Sequence, residues 1–203
     1  MERREMIRMI TLLTGTAFIG GDFLLSGCKT PVKKDAVFTD TNISLLDEVG
    51  ETIIPTTDTP GAKATKIGAF MQTMVTDCYT QAQQDAFVKG MTELNETCEK
   101  ANGKTFITCS PEQRKTFLQS LEKEAITFNK AKDLIDKPLR EAAQKEEKEF
   151  TNSPSHYYSM MKQLTLFGYF TSEIGATKAL RHNPVPGKYD GAFPYQKGDK
   201  AWA

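Results

Sequence analysis

This 203-residue sequence is poor in the groups from which active sites are usually built. It has two histidines, His156 and His182. So few, with no zinc-like cysteine spacing, point away from a metal centre. It has no C-x-x-C-H run to attach haem. It has no G-x-G-x-x-G and no P-loop, the glycine-rich cradles for nucleotide phosphates. It has no nucleophile elbow, and a Ser or Cys triad would need a histidine in place. No excess of charge is present: 26 basic residues face 26 acidic ones. A chain without net charge or a basic stripe does not suit nucleic acid. Long apolar runs are missing too. The stretch from Met9 to Gly21 is about 13 residues, against about 20 needed to span a bilayer. There is no strand-like alternation and no internal repeat.

What is present begins with an address. The first residues read "MERREMIRMITLLTGTAFIGGDFLLSGCKT". A basic start, a short apolar middle and small residues at the end have the form of a secretory signal. Arg3-Arg4, followed by Met6-Ile7-Arg8, resembles the twin-arginine export pattern. Leu25-Ser26-Gly27-Cys28 resembles a bacterial lipobox, in which the chain is cut before the cysteine and its thiol acylated. The expectation is a signal over 1–27, acylation at Cys28, and a polar tether over 28–41. An uncleaved anchor or a buried helix is the alternative. Three residues of each sign precede Cys28, so cleavage would leave 23 of each.

With Cys28 acylated, Cys78, Cys98 and Cys109 remain, an odd number in an exported chain. Cys98 and Cys109 flank the loop-like "EKANGKTFIT", so a disulfide between them is a candidate.

From residue 42 to 203 the pattern is that of a compact all-α bundle. Asp40-Thr41-Asn42 offer N-caps. Leu45, Leu46, Val49, Ile53 and Ile54 follow at helical spacing until Pro55. The spacing predicts further helices over about 64–79, with Ile67, Phe70, Met71 and Met74 inward, and over about 81–100, closed by Asn102-Gly103. Ser110-Pro111-Glu112-Gln113 is a capping box with proline at the first helical position. A charged helix is expected beyond it, interrupted near Pro138, and a last long helix from Ser153-Pro154. His156 and His182 read as capping or surface residues. Asp47, Glu48 and Glu51 read as solvent-facing charges. The tail from His182 is too rich in proline and glycine for a long helix, and is expected to lie along something else.

Two stretches look too specific for packing alone: "ETIIPTTDTPGAKATKIGAFM" and "LTLFGYFTSEIGATKALRHNPVPGKYDG". In the second, Phe167, Tyr169 and Phe170 cannot all share one helix face. They, with Tyr189, are the candidate partner contacts. No catalytic, cofactor-binding or metal-ligating residue stands out.

At these residues the chain resembles the gluconate 2-dehydrogenase subunit 3 family. The resemblance rests on Ile53-Ile54-Pro55 with Asp58-Thr59-Pro60-Gly61-Ala62, Phe117-Leu118 with Leu121-Glu122, Leu164-Thr165 with Gly168-Tyr169-Phe170-Thr171-Ser172-Glu173, and Pro186-Gly187-Lys188-Tyr189-Asp190-Gly191. It implies an accessory, non-catalytic small subunit of a membrane-associated dehydrogenase; with the signal and Cys28 read as above, the expected place is the bacterial cell envelope, lipid-anchored and facing the periplasm. Its partner would be an FAD-dependent dehydrogenase of the glucose-methanol-choline type acting on a sugar, polyol or sugar acid. A c-type cytochrome carrying haem is a further implied partner. The alternative function is a stand-alone helical envelope lipoprotein that binds a ligand or another protein.

Overall fold

The computed structural model describes residues 38–203 apart from Pro186 and Tyr189. Arg3, Arg4, Cys28 and Tyr189 therefore lie outside the described residues. Within them the chain is all-α: α1 (Asp40–Ile53), α2 (Ile67–Cys78), α3 (Gln81–Asn102), α4 (Pro111–Lys145) and α5 (Tyr157–Thr171). Short 3-10 turns at Ala62–Thr65 and Phe106–Thr108 join them, and a π-turn at Gly175–Ala179 follows α5. The tail returns to make a single bridge between Arg181 and Trp202.

Local chemistry sets the helix ends. Thr39, one residue before the expected caps, accepts from the Asn42 amide at 3.3 Å and starts α1. Thr80 with Gln83, and Ser110 with Gln113, form reciprocal capping boxes that open α3 and α4. Gly103 ends α3 at φ 67°, a backbone conformation that costs glycine little. α2 starts at Ile67, three residues later than the spacing predicts. Lys66 turns left-handed there (φ 54°) and separates the preceding 3-10 turn from the helix.

Two expectations are corrected. Pro138 does not interrupt α4, which runs unbroken for 35 residues. A proline removes one N–H and frees the carbonyl four residues back, here Leu134. Leu134 is 78% exposed, so water can take that bond. The last long helix starts at Tyr157, not at Ser153. Ser153 is spent elsewhere: its amide and hydroxyl donate to the Asp136 carboxylate at 2.9 and 2.8 Å. The cap is His156, whose Nδ1 accepts from the Tyr158 amide at 3.2 Å.

α5 is the centre of the bundle and touches each of the other four helices. Leu45, Leu46 and Val49 of α1, Ile67, Met71 and Val75 of α2, Phe87 and Leu94 of α3, and Leu118 and Leu121 of α4 are buried around it. Glycines allow the closest crossings. A Cβ at Gly50 would lie 2.5 Å from Ile67, and one at Gly168 2.5 Å from Phe70 and 2.6 Å from Ile67. α1, α2 and α5 therefore meet backbone to side chain around Ile67. Every buried side-chain nitrogen or oxygen among the described residues has a hydrogen-bond partner.

Candidate functional site

The two stretches singled out in the sequence come together at one end of the bundle. The first is a loop built around one carboxylate. Glu51 Oε1 accepts from the Thr56 amide (2.8 Å) and hydroxyl (2.7 Å), and Oε2 from the Lys63 amide (3.0 Å). The Gly61 amide donates to Thr56 Oγ1 at 3.1 Å, and the Ala62 amide to the Ile54 carbonyl at 2.9 Å. Pro55 forbids the helix from continuing, and Glu51 stands in for the lost backbone order.

The neighbouring acids also do structural work, against their reading as solvent-facing charges. Asp47 accepts from the Gly68 amide at 2.8 Å, which caps α2. Glu48 pairs with Lys63 and with Arg114. Burial works to raise the Glu48 pKa, but those two cations outweigh it and hold it below the usual carboxylate range. Arg114 also donates to the carbonyls of Phe106 and Ile107, so α1, α4 and the second 3-10 turn share one clasp.

The second stretch turns a tight corner after α5. Ser172 Oγ donates to the Tyr169 carbonyl (2.6 Å) and accepts from the Gly175 amide (3.0 Å). A Cβ at Gly175 would run into that same carbonyl, so only glycine fits the corner. Tyr169 is 1% exposed, and its hydroxyl donates to the Pro60 carbonyl at 2.7 Å. This bond ties the corner to the Glu51 loop across 109 residues of sequence.

Tyr169 is therefore a core residue, not a partner contact; a tyrosine in helix α5 facing the loop is buried with its hydroxyl satisfied. Its neighbours point outward. Phe167 is 50% and Phe170 41% exposed, and Leu166 beside them is 39% exposed. Phe70 of α2, half-buried, meets Phe167 with ring centroids 5.9 Å apart. Sequence spacing placed Phe70 on a core face and Leu166 in the apolar series of the last long helix, and neither among the partner contacts; only the α2–α5 crossing at Gly168 puts them in one patch. The structure thus brings Phe167 and Phe170 together with Leu166 and Phe70 over a firmly bonded support.

Cys98 and Cys109 also meet, as buried thiols with sulfurs 3.6 Å apart, while Cys78 is exposed. His182 is exposed. His156 is buried between Phe128 and Tyr157, and burial lowers its pKa although Glu124 lies 4.0 Å away. In the tail, Arg181 stacks 4.7 Å from the Trp202 ring and 5.7 Å from Phe193 and pairs with Asp199 at 3.5 Å. This cluster had no signal in helical spacing. Among the described residues no three His, Cys, Asp or Glu side chains converge as a metal site, and no helix is long and apolar enough to cross a membrane.

Residues 40–187, most of the chain, match the family described as gluconate 2-dehydrogenase subunit 3. The chain belongs to that family. It is an accessory-type subunit by family, and the matched span includes the Glu51 loop, the α5 corner and the aromatic patch. No curated protein and no solved structure matches it significantly.

Proposed function

We propose that this protein is the non-catalytic small subunit of an FAD-dependent glucose-methanol-choline-type dehydrogenase that oxidises a sugar, polyol or sugar acid, and that Leu166, Phe167 and Phe170 dock on the flavoprotein. The single observation that carries the reading is this patch. Three large apolar side chains on consecutive turns are left in water by the helix that organises the whole core. A rigid apolar cluster loses little on binding and makes a good centre for an interface. Membership of a family of dehydrogenase subunits supports the kind of partner.

In the same reading Arg3-Arg4 directs export of the chain together with its folded flavoprotein. Cys28, acylated, then holds the complex on the periplasmic side of the cell envelope, where a c-type cytochrome takes the electrons. Two or more acyl chains, at about 0.8 kcal/mol per buried methylene, hold a protein firmly.

The test is co-expression with an FAD-dependent dehydrogenase of that type from the same genome, followed by pull-down on the small subunit. A flavin-yellow complex is the expected result, with Phe167→Asp combined with Phe170→Asp weakening it about 100-fold, or about 2.7 kcal/mol. A folded double variant that still retains the flavoprotein would remove the patch from the interface. A colourless, partnerless protein would end the reading. Replacing Arg3 and Arg4 by Lys should strand the flavoprotein in the cytoplasm; a partner that still reaches the envelope would show that it travels alone.

A further inference from the structure

Buried thiols are usually inert, small apolar fillers. The pair at the end of α3 differs from that pattern in geometry. Cys98 sits in the last turns of α3, wholly buried, and Cys109 follows the Phe106–Thr108 turn, 4% exposed. Ten residues separate them in sequence, yet their sulfurs stand 3.6 Å apart. A disulfide needs about 2.05 Å, so side-chain rotation over about 1.5 Å closes the gap. The surroundings already hold the two ends in place. Phe106 is fully buried and its amide donates to Asn95 on α3 at 3.4 Å. Arg114 fixes the carbonyls of Phe106 and Ile107 from the other side. The Asn102 amide reaches Cys98 Sγ at 3.6 Å, and Cys109 Sγ points at the Lys104 carbonyl, 3.8 Å away.

We infer that Cys98 and Cys109 form an intramolecular disulfide that staples the end of α3 to the start of α4, with a disulfide carrier as the oxidant. The reaction balances as an exchange. Cys109, at the edge of the core, gives up its proton and attacks one sulfur of the carrier's disulfide, and the other carrier sulfur leaves as a thiolate that takes up a proton. Cys98 then gives up its proton and attacks Cys109, releasing the carrier's first sulfur as a thiol. The two protein thiols lose two protons and two electrons, and the carrier disulfide becomes a dithiol. Burial pushes the Cys98 thiol up to about 11, so Cys98 acts second, once Cys109 already carries the carrier. Cys78, exposed on α2, is left as the single free thiol of the helical domain.

The experiment uses the full chain, incubated with oxidised glutathione, then unfolded and alkylated with and without prior reduction. Without reduction, Cys98 and Cys109 should stay unlabelled and their peptides should appear joined and lighter by two hydrogens, while exposed Cys78 should carry either the label or glutathione. With reduction, all three should be labelled. The oxidised form should melt roughly 5–10 °C above the reduced form, from closing a short loop in a domain of this size. Cys109→Ala should remove that dependence on reductant. Labelling of Cys98 and Cys109 without reduction, or a bond from either to Cys78, overturns the inference. A joined pair with no change in melting overturns the staple. Neither readout involves the flavoprotein, so this inference and the docking proposal can fail separately.

Discussion

Helices α4 and α5 each leave large apolar side chains in water, and the two sets rest on different supports. Leu166, Phe167 and Phe170 project from α5, whose neighbouring residues Leu164, Thr165, Gly168 and Tyr169 are buried among four helices. Ile126, Phe128, Leu134, Ile135 and Leu139 project from the distal half of α4, where Asp136 is the only buried residue after Ala125. That arm is held by a few polar clamps: Ser153 and Lys132 on Asp136, and Asn129 accepting from the His156 amide at 3.0 Å. A side chain held by packing has little freedom left to lose on binding, whereas a lightly clamped helix opens locally at low cost. On the proposed docking, the rigidity beneath an apolar surface, and not its exposure alone, selects the interface.

The largest effect should come from breaking the support of the first surface. Gly168→Val places a branched side chain where a Cβ alone would be 2.5 Å from Phe70. The α2–α5 crossing cannot absorb it, and overpacking at a backbone contact should cost about 3 kcal/mol or more. Urea unfolding should show a much lower midpoint or a lost transition. Ala131→Val, on the exposed side of the arm, should stay within about 0.5 kcal/mol. Equal effects at the two positions would refute the contrast.

Next in size is the bond that ties the corner to the loop. Tyr169→Phe leaves the Pro60 carbonyl without its 2.7 Å partner. The expected loss is about 1–2 kcal/mol in chemical denaturation. Pull-down of the flavoprotein should weaken as well, because the loop beneath the patch loosens. A loss of stability with binding untouched would mean that the patch does not depend on this support.

How far the sequence foretold this difference can be argued residue by residue. Helix existence followed from apolar spacing and caps: Ser110-Pro111-Gln113 and Gly103 do in the structure what their chemistry predicts. The all-α fold was therefore legible. The roles of Glu51, Asp47 and Glu48 were not, because each is defined by partners 5 to 66 residues away. Tyr169 was drawn into the surface with its aromatic neighbours for the same reason: only the fold reveals that its hydroxyl meets Pro60. Pro138 misled in the other direction, since a local rule for helix breaking yields where water can serve the freed carbonyl.

A smaller effect should separate the arm from the bundle by pH. Burial lowers the His156 pKa, so the folded state resists a proton that the unfolded state accepts. Stability from this group is complete above the unfolded value of about 6.5 and declines as pH falls below it, until the folded value is passed. Unfolding free energy should thus slope upward with pH below about 6.5, down to the lowered folded value. His156→Asn keeps an N-cap acceptor but cannot titrate there, and should flatten that slope. Asp136 acts lower down. Burial raises its pKa, but the Ser153 hydrogen bonds and Lys132 outweigh this and lower it, so its contribution holds above the usual aspartate value and is lost only as pH drops through the folded one. A variant slope equal to wild type would assign the pH dependence to other groups.

The smallest effect is the sharpest test of the comparison. Leu134→Lys with Ile135→Lys changes two side chains that are 78% and 64% exposed on the arm. If the arm is merely a solvated helix, stability should move by no more than about 0.5 kcal/mol. Flavoprotein recovery should equal wild type, while Phe167→Asp with Phe170→Asp loses it. The reverse pattern, with the arm variant losing the partner and the patch variant keeping it, would move the interface to the arm. Rigidity would then be the wrong criterion, since the partner would have chosen the surface that must be ordered on binding. Loss of the partner in both variants would mean that the flavoprotein spans the two surfaces, and that the arm is ordered by the complex rather than by its own clamps.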